Sequence, residues 1–170
     1  MNLKQWIRDV SDYPKPGILF RDITPLLAHP PAFSYAIDRM SEPFQGAPLD
    51  AIGAIDARGF LIGAPMASAL GLPLIPLRKA NKLPGHTIGE NFNLEYGAGR
   101  IEVHIDALRP AQRVVIVDDL LATGGTARAA SSVVSRLGAR VDAFAFLIEL
   151  TDLGGRNALT GPEIHSVIQY

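Results

Sequence analysis

Residues 114–126 read VVIVDDLLATGGT, and this stretch decides the fold expected for the chain. Its first four residues form a β-branched run without polar alternation, the pattern of a strand buried on both faces of a parallel sheet. Two aspartates and a Thr-Gly-Gly-Thr turn follow, and residues 127–137 then carry apolar side chains at helical spacing. This order predicts an α/β unit with a site at the carboxyl end of the strand.

The turn between this strand and this helix has the chemistry of an anion site. N–H groups in the first turn of a helix have no intrahelical partner, and the helix dipole favours negative charge there. Thr123 and Thr126 add hydroxyl groups, whereas Asp118 and Asp119 would repel a phosphate unless they face vicinal hydroxyls or a shared Mg²⁺. A ribose 5-phosphate satisfies both halves of the turn.

The same residues also have a plainer interpretation, in which the aspartates are a solvated strand end and TGGT is an ordinary helix cap. Spacing alone leaves this alternative open. Neither G-x-x-x-x-G-K-[ST] nor G-x-G-x-x-G occurs in the chain, so two other phosphate motifs are excluded. The four histidines share no metal-type spacing, so a histidine metal site is not indicated. The chain has no G-x-S-x-G elbow, so a serine hydrolase is not indicated either.

A second unit of the same kind precedes the first. Residues 51–55 read AIGAI, a second buried strand, and DARGF at 56–60 leads into a helix predicted over residues 60–70. A third strand, residues 74–77, runs into the basic residues Arg78, Lys79 and Lys82. Strands that alternate with helices predict a single α/β domain over residues 1–170, with a mainly parallel, twisted sheet flanked by helices.

Composition argues against several classes of function. The chain has 170 residues, the size of one domain, and its net charge of −1 gives no support for nucleic-acid or membrane binding. It contains no cysteine, so disulfides and thiolate chemistry are impossible. The apolar runs are strand-sized and the N-terminus does not begin a signal peptide. A soluble cytoplasmic protein is therefore expected.

Several motifs place the sequence close to a known family. VVIVDDLLATGGT resembles the phosphoribosyl pyrophosphate (PRPP) signature of the type I phosphoribosyltransferases, and its wording is close to that of the adenine-specific members. DYPKPGILFRDITPLL at 12–27 is similar to their base-binding hood, and DARGF resembles their pyrophosphate loop. NLEYG at 93–97 resembles their catalytic loop, and ELT at 149–151 matches a wall of their base pocket. The resemblance runs from Trp6 to Tyr170.

The resemblance implies a fold, a reaction and an assembly. The fold would be that of the type I phosphoribosyltransferases, with a small N-terminal hood at residues 1–33 and a flexible two-stranded flap at residues 81–106. The reaction would convert adenine and PRPP to AMP and pyrophosphate, in purine salvage, with Mg²⁺ as cofactor. A homodimer is implied because, in that family, the arginine matching Arg78 can reach the neighbouring subunit's pyrophosphate.

The resemblance also implies roles for individual residues. Glu95 would take a proton from the purine, while Arg58 and Asp119 would act on the pyrophosphate and the ribose. Mg²⁺ would be held mainly through PRPP, with a water-mediated contact from Asp118 as the candidate protein link. Substrate binding is implied for the base-pocket residues Leu19, Phe20, Arg21 and Leu150, the pyrophosphate-side residues Arg58, Arg78, Lys79 and Lys82, the flap residue Tyr96, and the ribose-phosphate residues Asp118, Asp119, Ala122, Thr123, Gly124, Gly125 and Thr126.

Two alternative functions remain open at this point. One is a phosphoribosyltransferase for another nucleobase, and the other is a non-catalytic regulator that senses PRPP. The hood and the ELT wall argue against the first, and the intact flap argues against the second. Two local features are also expected: an amphipathic helix over residues 3–10, and, from the family resemblance, a cis peptide between Asp56 and Ala57.

Overall fold

Two β-sheets and four α-helices make up the part of the chain that the computed structural model describes, residues 1–94 and 97–170. Short 3₁₀ helices lie at Leu3–Trp6, Glu42–Phe44, Thr151–Leu153 and Gly155–Ala158. In chain order the other elements are β1 Arg8–Ser11, β2 Leu19–Asp22, α1 Thr24–Leu27, α2 Pro30–Ser41, β3 Ala51–Ile55, α3 Arg58–Leu70, β4 Leu74–Lys79, β5 Thr87–Leu94, β6 Gly97–His104, β7 Arg113–Leu121, α4 Gly125–Arg136, β8 Arg140–Glu149 and β9 Glu163–Gln169.

The larger sheet has the strand order β5-β6-β4-β3-β7-β8-β9. Strands β4, β3, β7, β8 and β9 run parallel to one another, whereas β6 is antiparallel to β4 and β5 is antiparallel to β6. The smaller sheet is the antiparallel pair β1 and β2. The predicted α/β fold with a mainly parallel sheet flanked by helices is confirmed.

The central strands are buried because they carry aliphatic side chains on both faces. Along β7, Val115 and Val117 pack with residues of α2 and α3, whereas Val114 and Ile116 pack with residues of α4 on the other face. All four side chains are fully buried. The uninterrupted β-branched run therefore forms the double-sided core strand that its pattern predicted.

The carboxyl ends of β3 and β7 lie side by side, and this position fixes the site. The two strands are parallel neighbours, with Ala54 opposite Val117. Helices α3 and α4 both begin just beyond this edge of the sheet. The first turn of α3 packs so closely on β7 that a Cβ added to Gly59 would lie 2.9 Å from Asp118 Oδ1. Both predicted anion loops are thus brought to one place.

The helix predicted over residues 3–10 is wrong in its second half. The structure has a 3₁₀ helix, Leu3–Trp6, and then strand β1, which pairs with β2. Arg8 forms an ion pair with Asp22 across the two strands. A helix of eight residues is marginal without tertiary support, so cross-strand pairing overrides its apolar spacing.

Other local predictions are confirmed. Helix α3 ends at Leu70, the predicted C-terminal residue, and its C-cap Gly71 adopts the left-handed conformation typical of such a glycine. The peptide between Asp56 and Ala57 is cis, as is that between Tyr13 and Pro14. Within residues 1–94 and 97–170, no helix combines the length and the apolar character needed to cross a membrane.

The segment predicted as a flap contains the antiparallel pair β5 and β6, whose register runs from Thr87 opposite His104 to Leu94 opposite Gly97. It extends the edge of the sheet beyond β4. Arg136 of α4 donates a hydrogen bond of 2.8 Å to the carbonyl oxygen of Gly89 in β5. The boundaries of the hood and of the flap, 1–33 and 81–106, stay predictions.

Candidate active site

The glycine turn after β7 forms one wall of a cleft of about 670 Å³. Gly124, the N-cap residue of α4, has φ +81°, a conformation that glycine adopts without strain. It has no side chain to cap the helix, so the N–H groups of the first turn stay available to a ligand. The turn residues that line the cleft are Ala122, Thr123, Gly124, Gly125, Thr126 and Ala127.

The acidic pair lines the same cleft. Asp119 is only 4% exposed, and its backbone N–H donates a 2.8 Å hydrogen bond to Asp118 Oδ1. Burial, together with the neighbouring Asp119 charge, raises the pKa of Asp118 well above its ordinary value. Burial also raises the pKa of Asp119, although the Arg58 guanidinium partly offsets this. Hydroxyl donors or a cation beside the pair would stabilise the ionised form of these carboxyl groups.

Arg58 joins the acidic pair to the hood. This first residue of α3 has its Nε 2.8 Å from Asp119 Oδ2. Its guanidinium carbon also lies 4.8 Å from the ring centroid of Phe20, which belongs to β2. The edge of Tyr13 packs on Phe20 at a centroid distance of 5.1 Å. The aromatic ring of Phe20 and the carboxylate of Asp119 therefore both lie against the same guanidinium.

Tyr170 is one of the residues outside the hood that contact it. The guanidinium of Arg21 pairs with Asp9 and lies 3.6 Å above the Tyr170 ring. The backbone of Tyr170 is fixed in turn, because its N–H donates to the Glu149 carbonyl and its carbonyl accepts from the Thr151 N–H. The last residue of the chain thus connects β2 with the segment that follows β8.

Leu150, the predicted cover of the base, lies in that same segment. Its N–H donates a 2.9 Å hydrogen bond to the carbonyl of Leu121, at the end of β7. The side chain is partly buried against the core. Leu150 is therefore tied to the strand that carries the acidic pair, although neither it nor Leu19, Phe20 or Arg21 lines the cleft itself.

The basic residues are divided between the cleft and its surroundings. Lys79 lines the cleft together with Arg58. The side chain of Arg78 instead forms a 3.2 Å ion pair with Asp56 and donates to the carbonyl of Lys82 at 3.1 Å. Lys82 is exposed. The structure therefore brings only Arg58 and Lys79 of the four predicted cations to the cleft wall.

The acidic pair suits a particular kind of metal site. Among the residues that the structure describes, no group of three or more His, Asp or Glu side chains is placed to hold a metal. Mg²⁺ is commonly held by one or two carboxylates together with phosphate oxygens of a substrate. Asp118 and Asp119 fit an ion that arrives with a phosphorylated substrate rather than one enclosed by protein ligands.

The cleft also contains residues that the sequence did not single out, and two of the predicted residues lie outside the part of the chain that the structure describes. Phe92, Arg100 and Phe146 also line the cleft, and the first two come from the strands of the flap. Phe92 lies opposite Gly99, and a Cβ added to Gly99 would lie 2.4 Å from the Phe92 ring. An aromatic residue that faces a glycine across two strands is a sequence feature that could have pointed to Phe92. Glu95 and Tyr96 lie outside the described residues.

The fold, with a glycine turn, an acidic pair and an arginine loop at one sheet edge, has the features of a phosphoribosyltransferase. The family model for the phosphoribosyl transferase domain matches residues 28–166. A relative from Methylococcus capsulatus, an adenine phosphoribosyltransferase, is 53% identical over 168 residues, which are 99% of this chain and 98% of the relative. The chain belongs to the adenine phosphoribosyltransferase family.

Solved structures agree with this assignment. The adenine phosphoribosyltransferase of Thermoanaerobacter pseudethanolicus is 49% identical and superposes with a TM-score of 0.96, covering 99% of this chain and 98% of that one. The enzyme of Saccharomyces cerevisiae, crystallised with adenine and an imino-altritol bisphosphate, is 37% identical with a TM-score of 0.90, covering 96% and 95%. The fold is that of the type I phosphoribosyltransferases, and the chain is an enzyme that transfers a pentosyl group.

Proposed function

We propose that this enzyme transfers the phosphoribosyl group of PRPP to adenine, releasing pyrophosphate and forming AMP for purine salvage. The observation that carries the proposal is the position of Arg58, between the Asp119 carboxylate of β7 and the Phe20 ring of the hood. A nucleotide joins a flat base to a sugar phosphate. One molecule of AMP would therefore have its base on the hood and its ribose on the acidic pair.

The ribose and its phosphate would be held from two sides. Asp118 and Asp119 accept hydrogen bonds from the vicinal hydroxyls, and the N–H groups and hydroxyls of residues 122–126 bind the 5-phosphate. Each hydrogen bond to a charged group contributes roughly 1.5–3 kcal/mol, compared with about 0.3–2 kcal/mol from the helix dipole. Hydrogen bonds therefore dominate this end of the site, and they fix the position of the anomeric carbon.

The pyrophosphate would leave toward the basic side of the cleft. Arg58 and Lys79 line that side, and Arg78 and Lys82 lie beside it. Their positive charge neutralises the charge that develops on the departing group. Asp118 and Asp119 would help to hold Mg²⁺ bound with PRPP, and the ion would add to this neutralisation.

Adenine would be recognised by the hood. Leu19 and Arg21 are two positions apart in β2, so their backbone polar groups point to the same side of the strand, where they can pair with one edge of a base. Phe20 would stack on one face of the ring and Leu150 would cover the other. A base can thus be read without a polar side chain aimed at it.

The chemical step would be dissociative, by analogy with glycosidic chemistry. The bond from the anomeric carbon to pyrophosphate breaks ahead of attack by the purine nitrogen, and Asp119 stabilises the positive charge that forms on the ribose. Glu95 accepts the proton that the purine loses, and Tyr96 contacts the substrate when the flap closes over it. A Glu95→Gln variant should lose about 10²–10⁴-fold in kcat if Glu95 is this base. An unchanged kcat would remove it from the mechanism.

The proposal includes a homodimer. The outer face of α3 presents Leu61, which is 47% exposed, and the helix has no charged residue after Arg58. An uncharged, exposed helix face next to the pyrophosphate loop is suited to a second copy of the chain, which would bring its Arg78 near the neighbouring site. Gel filtration of a Leu61→Arg variant should show a monomer with reduced activity. A monomeric wild type with full activity would contradict the dimer.

The proposal also places the enzyme in the cytoplasm. PRPP carries several negative charges, and charged groups enter an apolar membrane only at a large cost in free energy. The enzyme is therefore expected in the compartment in which PRPP is made. Separation of cells into soluble and membrane fractions, followed by activity measurement, tests this location.

The deciding experiment measures pyrophosphate release from PRPP with adenine, hypoxanthine, guanine, xanthine and uracil in turn. Release with adenine alone is expected. Release with a different base would show that the substrate is that base and not adenine. No release with any base would indicate a protein that binds PRPP without catalysis. Asp152→Asn, which changes an exposed carboxylate in the connection after β8, serves as a control with unchanged activity.

A further inference from the structure

The turn after β7 rests directly on a second backbone segment. That segment is the 3₁₀ turn Gly155–Ala158, in the connection between β8 and β9. A Cβ added to Gly155 would lie 2.1 Å from the carbonyl oxygen of Ala122, and a Cβ added to Gly124 would lie 2.6 Å from the carbonyl oxygen of Gly155. The two backbones are in contact because neither glycine has a side chain between them.

The contact involves the residues whose geometry matters most for an anion. Ala122 and Gly124 belong to the turn whose free N–H groups face the cleft. The direction of those N–H groups depends on the backbone angles of the turn, and Gly124 is in the left-handed region. A shift of the turn would therefore change hydrogen bonds to a bound phosphate, since such bonds weaken steeply when their angles change.

The 3₁₀ turn is itself held by Arg156. Its Nε and Nη2 donate to the two carboxylate oxygens of Glu149 at 2.9 and 2.7 Å, and its Nη1 donates to the carbonyl of Ile164 at 2.9 Å. Arg156 thus ties the turn to β8 and β9 together. A fork-shaped, bidentate pair of this kind fixes orientation as well as distance.

Glu149 makes the anchor firm. The carboxylate is 4% exposed and also accepts hydrogen bonds from Ser166 Oγ at 2.5 Å and from Gln169 Nε2 at 3.3 Å. The hydrogen bonds from Arg156 are the main reason that the pKa of Glu149 lies below its ordinary value. The anchor is therefore an ionised, fully partnered pair, and neither Glu149 nor Arg156 lines the cleft.

We propose that Gly155 and Arg156 are positioning residues for the 5-phosphate turn. Arg156, through Glu149, holds the 3₁₀ turn in place, and the backbone at Gly155 supports Ala122 and Gly124 in the conformation that binds phosphate. This inference rests on the proposed function of residues 122–126 as the 5-phosphate site. It assigns a role to the β8–β9 connection, which contains the 3₁₀ turn Gly155–Ala158.

The test uses isothermal titration of the full-length protein with ribose 5-phosphate and, separately, with pyrophosphate. In Gly155→Ala the new methyl group must displace the Ala122 carbonyl. The dissociation constant for ribose 5-phosphate should rise about tenfold or more, as for the loss of one hydrogen bond to a charged group, with little change for pyrophosphate. In steady-state kinetics, KM for PRPP should rise while KM for adenine stays unchanged.

The matched control is Gly161→Ala in the same β8–β9 connection. Gly161 has φ +101° and no atom within 4 Å of an added Cβ, so its substitution strains the connection without touching the phosphate turn. Ribose 5-phosphate binding should be unaffected. An equal loss in Gly161→Ala and Gly155→Ala would overturn the proposed contact, because general strain in the connection would then explain both results.

Two further variants keep the test valid if Gly155→Ala does not fold. Arg156→Lys keeps the charge but loses the fork, so it should weaken ribose 5-phosphate binding less than Arg156→Gln does. Wild-type binding in Arg156→Gln would overturn the inference. If the wild type itself does not bind ribose 5-phosphate, the proposed function fails instead, so the two failures are distinguishable.

Discussion

The two ends of the site are built in different ways. The proposed phosphate end lies where a buried strand, β7, meets helix α4, and its residues are continuous with the core on both faces of the sheet. The proposed base end lies on β1 and β2, two four-residue strands whose residues are exposed or half-buried. Within this sheet Arg21 of β2 pairs with Asp9 of β1, and its guanidinium also lies 3.6 Å above the ring of Tyr170, which follows β9.

The two ends therefore differ in how much support they receive from the packed core. A turn supported by a packed sheet can hold a phosphate in a fixed position, because core elements open only at a large cost in free energy. The small sheet of β1 and β2, whose residues are exposed or half-buried, has less of this support from the core. Arg58 contacts both Phe20 and Asp119. A displacement of Phe20 would therefore change the position of the guanidinium beside Asp119.

Among variants that compare the two ends, the largest effect is expected at the phosphate end, in Asp119→Asn. The substitution removes the charge that faces Arg58 and, by the proposal, the ribose. Loss of one hydrogen bond to a charged group is worth about 1.5–3 kcal/mol, or roughly 10- to 150-fold in kcat/KM for PRPP. Initial rates at varied PRPP measure it, and Asp152→Asn is the exposed control. Unchanged PRPP kinetics would mean that Asp119 does not hold the ribose.

Phe20→Ala should give the next largest effect, at the base end. Stacking of a base on an aromatic side chain is worth about 1–3 kcal/mol, so KM for adenine should rise by roughly 5- to 150-fold. KM for PRPP should change little, since Phe20 lies outside the sugar-phosphate turn. Phe20→Trp should retain adenine binding. A rise in both KM values to the same extent would show that the two ends are not separate.

The sequence predicted these two ends unequally. The strand, the acidic pair, the glycine turn and α4 follow from apolar periodicity and turn chemistry within residues 114–137, because one local pattern specifies them all. The hood depended on family resemblance, since four-residue strands are too short for periodicity, and residues 3–10 were wrongly predicted as one helix. The pairs Arg58–Asp119 and Arg156–Glu149 join separate elements, so no local pattern gives their distances.

A smaller effect is expected in Tyr170→Leu, which tests how the hood is attached. The variant keeps an apolar side chain but loses the ring beneath Arg21. A cation-π contact at an exposed site is worth about 0.5–1 kcal/mol, so KM for adenine should rise by roughly two- to fivefold. Combining Tyr170→Leu with Phe20→Ala should give less than the product of the single effects. Independent effects would contradict a common role in holding the base.

The smallest effect is on thermal stability. Its dependence on pH should have opposite signs for the carboxyl groups of Asp118 and Glu149. In the ligand-free protein, burial and Asp119 raise the pKa of Asp118 above its unfolded value. Stability from this group is therefore present at low pH and is lost as pH rises toward the raised pKa. Asp118→Asn has no group to ionise there, so its Tm should exceed that of the wild type by a few degrees at about pH 8 and by less at about pH 4.

Glu149 provides the opposite case. Its pKa is lowered, mainly by Arg156, so its stabilising contribution is present above the unfolded value and is lost as pH falls through the folded pKa. Glu149→Gln should therefore have a lower Tm than the wild type at neutral pH, with a gap that narrows in acid. Thermal unfolding followed by circular dichroism measures both variants. The same pH trend in both would contradict the assigned environments.

The most direct measurement is a crystal structure of the enzyme with AMP bound. The account predicts that the phosphoryl group lies on the backbone amides of residues 122–126, the ribose hydroxyls on Asp118 and Asp119, and the adenine ring on Phe20. A phosphoryl group bound elsewhere, or a base that lies away from the hood, would contradict the assignment of the two ends.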